Sequence, residues 1–110
     1  MDTQTKAQPE SRNVVNTNLM TTISNSAGEF NIYTYAAKND SASDLRNPRF
    51  FDPAYTFLVV GDTIRVFGHE HGELSKYYEF IVMKIDKDNR KVTTSLVREI
   101  KLESRLVVEQ

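Results

Sequence analysis

The apolar residues of this chain are unevenly placed, and their spacing changes near residue 29. Up to Gly28 the sequence is rich in Thr, Asn, Ser and Gln, and its apolar clusters are Val14-Val15 and Leu19-Met20 with Ile23. A stretch this polar buries too little to offset its ordering entropy, so residues 1–28 are expected to form a flexible or extended N-terminal arm. Val14, Val15, Leu19, Met20 and Ile23 are its candidate docking residues, spaced to settle into shallow grooves of a neighbouring subunit.

From Glu29 the pattern becomes that of strands. Phe30-Asn31-Ile32-Tyr33-Thr34-Tyr35 alternates in a β-branched and aromatic run, the signature of a half-buried strand. Ser41 with Asp44 three residues on makes a capping box, but Pro48 and Pro53 leave room for only one turn of helix. Phe50-Phe51-Asp52-Pro53-Ala54-Tyr55 is an aromatic connector, expected to plug a barrel end or cover a sheet edge. Gly61-Asp62 signals a turn into a strand over Thr63 to Phe67, with Ile64 and Val66 on one face.

His69-Glu70-His71-Gly72-Glu73 then closes a hairpin. The strongest strand is Tyr77 to Ile85: Tyr78, Phe80 and Val82 share one face, and Tyr77, Ile81, Met83 and Ile85 the other. Apolar character on both faces marks Tyr78, Phe80 and Val82 as core or subunit-interface residues. Asp86 to Arg90 is a turn, Lys91 to Val97 its return strand, and Arg98 to Val108 a last strand or short helix. The expectation is a mostly β domain over residues 29–110, a small antiparallel barrel or sandwich of five to six short strands.

Composition narrows the function. The chain has 110 residues, 39% of them hydrophobic, and sets 14 Lys and Arg against 15 Asp and Glu. A body this small, without a disulfide, gains from association, so a homo-oligomer is expected, with a trimer favoured. Balanced charge argues against a protein that coats nucleic-acid phosphates. Arg46, Arg49, Arg65, Lys76 and Lys84 with Tyr33, Tyr35, Phe50 and Tyr78 are the residues that a single-stranded nucleic-acid face would use. Between Ala36 and Ile85, six basic residues face seven acidic ones, so that face is largely neutralised. No apolar run nears the roughly 20 residues that span a bilayer, and no membrane partner or secretory leader is expected.

Candidate chemistry is sparse. His69 and His71 could share a metal ion if both lay on one strand face, but no third ligand stands at a convincing spacing, so solvated hairpin-tip residues are expected instead. Asp86-Lys87-Asp88-Asn89 opens like a calcium loop, yet Lys91 and Val97 stand where such a loop needs Gly and Glu. Without a nucleophile set, carboxylate pair or cofactor fingerprint, neither an enzyme nor a bound cofactor is expected.

The order of motifs from Phe30 to Val97 resembles that of small virion structural proteins of tailed bacteriophages. Their pattern of a Tyr-x-Tyr strand, a polar turn with Asp, a Phe-rich motif, an LxVGDxIxV strand and a late strand appears here in five segments. These are Tyr33-Thr34-Tyr35, Asn39-Asp40-Ser41, Arg49 to Ala54, Leu58 to Val66, and Lys91-Val92-Thr93-Thr94-Ser95. Phe51-Asp52 replaces a Tyr-Phe-Asn core. The resemblance implies a non-enzymatic subunit of the virion, assembled in the host cytoplasm, serving as capsid decoration, head fibre or tail-associated protein. Its partners would be phage capsid or tail proteins. The alternative is a small barrel module binding single-stranded nucleic acid or a peptide.

Overall fold

The computed structural model describes residues 14–26 and 30–103. They form a five-stranded sheet in the order β1-β2-β3-β4-β5. The strands are β1 (Met20–Ser26), β2 (Phe30–Ala37), β3 (Thr63–Glu70), β4 (Glu73–Asp86) and β5 (Lys91–Lys101). A short helix α1 (Ala42–Arg46) and a 3-10 turn (Asp52–Thr56) lie between β2 and β3.

The domain is mostly β, but the sheet is mixed and open. β2 and β3 run parallel, with Tyr33 opposite Ile64 and Tyr35 opposite Val66, while the other pairs are antiparallel. That parallel pair corrects the expectation of an antiparallel sheet, and it has a structural consequence. Parallel neighbours need a long crossover, here residues 38–62, and this crossover supplies the second layer. The strand order is linear, with β1 and β5 at its two ends, so the sheet does not close into a barrel.

The crossover starts cleanly because its helix is capped as the sequence predicts. Ser41 Oγ accepts the Asp44 N–H at 3.0 Å, and Asp44 Oδ2 accepts the Ser41 N–H at 2.9 Å. Leu45 then turns inward at 2% exposure. Phe50 and Phe51 lie across the sheet rather than plugging an end. Their rings meet Tyr35 and Phe80 edge-on at 6.0 and 5.1 Å between centroids. Ala54 and Leu58 complete the cover, over a core that includes Tyr33, Ile64, Val66, Tyr78, Phe80, Val82 and Val92.

The period-two reading of β4 holds from Tyr78 to Val82 and then shifts. Val82 pairs with Thr94 but Lys84 with Thr93, so Met83 is an extra residue in β4. The bulge moves Ile85 onto the side of its partner Val92, where it packs against the core. Ile85 therefore does not share a face with Tyr77 and Ile81, because a one-residue slip exchanges the two faces. One residue beyond the end of β5, Leu102 still donates its N–H to the Ser75 carbonyl of β4 at 2.8 Å. The rest of the expected last strand lies outside the described residues.

The N-terminal expectation divides in the same way. Residues 1–13 and 27–29 lie outside the described part, whereas Thr17–Leu19 form a 3-10 turn and Met20–Ser26 form β1 against β2. No described helix is long and apolar enough to cross a membrane.

Candidate functional site

The polar residues that the sequence brings to the core are used to hold the chain together. Asp62 is fully buried, and its carboxylate accepts the Asn31 N–H at 2.9 Å through Oδ1 and the Val59 N–H at 2.8 Å through Oδ2. One side chain thus joins the start of β2 to the turn before β3. Gly61, beside it, has a φ of +101°, and a Cβ there would lie 2.5 Å from the Phe30 ring. The Gly-Asp pair is a joint, with glycine supplying the backbone conformation and aspartate the acceptors.

A second joint stands at the other end of β2. Tyr35, buried to 2% exposure, donates its hydroxyl hydrogen to Asp40 Oδ2 at 2.6 Å, and its oxygen accepts the Asn16 N–H at 3.4 Å. Burial, reinforced by the Asp40 hydrogen bond, pushes the Tyr35 hydroxyl pKa up. Burial also raises the Asp40 carboxyl, against the lowering effect of the tyrosine hydrogen bond. A shallow depression opens here, lined by Val14, Asn16, Leu19, Tyr35, Lys38 and Asp40 among others.

This depression gathers part of the candidate docking set and separates the rest. Val14, Leu19 and Ile23 are 46%, 50% and 50% exposed. Val15 is turned into the chain's own core, and its N–H donates to the Phe50 carbonyl at 2.9 Å. Met20 is partly buried against that core. Tyr78, Phe80 and Val82 all lie beneath the crossover as core residues. No periodicity marks Val15 as a core residue, because its partner Phe50 lies far along the chain.

His69 and His71 do not act as an i, i+2 pair. β3 ends at Glu70, and His71 and Gly72 form the hairpin turn with φ of +54° and +79°. Two successive positive φ values suit a tight primed turn, and they take His71 out of the strand. His69 Nδ1 lies 3.0 Å from the Phe67 carbonyl oxygen, a contact that favours the Nδ1–H tautomer. Among the described residues no group of three or more His, Asp or Glu is placed to hold a metal ion.

The nucleic-acid set is likewise dispersed. Tyr33, Tyr35, Phe50 and Tyr78 are buried, so their ring faces are not available to bases. Arg46 and Lys76 instead meet on Glu99, Lys76 at 2.9 Å, fastening α1 to β4 and β5. Hydrogen bonding from Arg46 first and Lys76 second holds the Glu99 carboxyl below its usual range.

No family model, curated protein or solved structure matches the chain.

Proposed function

We propose that this chain is a non-enzymatic structural subunit of a tailed-bacteriophage virion, a homo-oligomer attached to the capsid or tail through its N-terminal segment. The observation that carries this reading is the convergence of the separated short motifs into one packed unit. Tyr33 and Tyr35 pack beneath Phe50, Phe51 and Leu58, beside Ile64 and Val66. Asp40 and Asp62 hold the two ends of β2 through hydrogen bonds. Residues that work together as a scaffold give a physical reason for the order and spacing behind the resemblance. Asp62 spends both carboxylate oxygens on backbone N–H groups, a use suited to support rather than reaction.

The experiment is made on particles. Gradient-purified virions of the phage or prophage that encodes the chain are expected to contain it in fixed stoichiometry, and added protein should restore particles made without it. Absence from purified particles, together with single-stranded DNA binding that weakens steeply with salt, would overturn the reading in favour of a nucleic-acid module.

A further inference from the structure

The outer edge of β5 is capped at one end and bare along its middle. Asp52 Oδ1 accepts the Val92 N–H at 2.9 Å, so Val92 directs its amide away from β4. Two and four residues further on, Thr94 and Leu96 direct theirs the same way by strand periodicity. From Val92 to Val97 the strand has neither a charge nor a proline, the usual guards of an open edge. Leu96 and Val97 are exposed. Val97 is an extra residue, since Arg98 stands opposite Glu79 but Leu96 opposite Phe80, and the uninterrupted edge ends at Leu96. The other edge strand, β1, has its own irregularity at its middle, between Thr22 and Ser24.

Beside the bare part of β5 lies a groove of about 330 Å³, lined by Leu45, Arg46 and Pro48 from the crossover and by Phe80, Thr94 and Leu96 from the sheet. Thr94 and Leu96 share the strand face of the core residue Val92. An extended segment paired with their outward amides therefore sends alternate side chains into the groove.

The charges around the groove select the occupant. Arg46 and Lys76 share Glu99. Glu79 pairs with Arg98 at 3.6 Å and stands opposite Arg65 in the β3–β4 register. Each carboxylate is thus set against two cations, which leaves a surplus positive charge on either face of the sheet near β5. The Arg46 and Arg98 side chains are 49% and 57% exposed, open to a further carboxylate. β5 of a second copy would bring Lys91, Arg98 and Lys101 against this surplus, and like charges repel across paired strands. We infer that this edge and groove dock an extended segment of a partner protein in which large apolar residues alternate with acidic ones. The apolar side chains fill the groove, and the acidic ones between them fall on the Arg98 side.

The probe is a fluorescein-labelled peptide of alternating Glu and Leu, tested on the isolated full chain, so its result is independent of particle attachment. Polarisation should show binding about tenfold or more tighter than for a matched peptide of Lys and Leu. Leu96→Glu should weaken that binding by about tenfold or more. Val60→Glu, the same change of charge at an exposed position before β3, should leave it within about twofold. Amide NMR of the wild-type chain, which needs no variant to fold, should place the largest peptide-induced shifts on Thr94, Leu96 and the stretch from Leu45 to Asn47. No binding of the Glu and Leu peptide, equal binding of both peptides, equal effects of the two substitutions, or shifts centred on β1 would each overturn the proposal. So would concentration-dependent shifts at Thr94 and Leu96 without peptide, the mark of a second copy as occupant.

Discussion

The Tyr35 hydroxyl donates to Asp40 at 2.6 Å and accepts the backbone N–H of Asn16, so one phenol links the N-terminal turn, β2 and the loop before α1. Tyr35→Phe keeps the ring in the core and removes both hydrogen bonds. The expected cost is about 1–3 kcal/mol, the range for a buried polar group left without its partner, read as a lower urea midpoint with an unchanged slope. Because the tyrosine hydrogen bond lowers the Asp40 carboxyl while burial raises it, the Asp40 pKa should rise further in this variant. A carbon-detected NMR titration of Asp40 checks that sign.

Asp62 is expected to be the least replaceable acidic residue. Asp62→Ala orphans the N–H groups of Asn31 and Val59, at about 1–3 kcal/mol for each group left unpaired. Asp62→Asn retains one acceptor oxygen but sets its NH2 donor against the other N–H, so it should spare less than half of that loss. Chemical denaturation of the two variants measures the ratio.

Gly61→Ala meets both a backbone and a steric objection. Its φ of +101° is unfavourable for a residue with a Cβ, and that Cβ would strike the Phe30 ring. A loss of about 1–3 kcal/mol is expected from the backbone strain. Phe30→Ala in the same chain should recover only the steric share, since the φ remains. A double-mutant cycle by thermal denaturation separates the two contributions.

Glu99 and Asp40 give opposite pH dependences. The folded-state pKa of Glu99 is depressed by Arg46 and Lys76, so its contribution is present above the unfolded value of about 4.3 and fades as pH falls through the folded value. Asp40 is raised in the folded state, so its contribution is complete below about 3.9 and declines as pH rises through its folded value. Glu99→Gln should therefore be less stable than wild type at neutral pH, with the difference shrinking in acid. Asp40→Asn should remove the opposite slope. Urea midpoints from acid to neutral pH check both.

Truncation through the N-terminal segment should cost stability as well as any docking function. Removing residues 1–25 takes most of β1 and the buried Val15, whose burial alone is worth about 1.5–3 kcal/mol. This deletion should melt well below the full chain by circular dichroism.

Features that depend on near neighbours along the chain are legible without the fold. The sequence pattern places strands over Phe30 to Tyr35, Thr63 to Phe67, Tyr77 to Ile85 and Lys91 to Val97, and the structure has strands there. The Ser41–Asp44 capping box is equally local, as is the Asp86 turn, where the carboxylate accepts from Asn89.

Tertiary structure decided which strands are neighbours and which way the ambiguous residues face. The polar run Met20–Ser26 becomes a strand because β2 offers it an edge, a stabilisation that its own composition does not encode. β2 and β3 pair in parallel because the crossover must fold back over the sheet to bury Phe50, Phe51 and Leu58. Ile85 turns inward because the bulge at Met83 is set by pairing with β5. The same pairing left β1 as an outer edge, a position that its seven residues do not reveal. Strand periodicity is a property of one segment, whereas pairing, register and burial belong to contacts between segments distant in the chain.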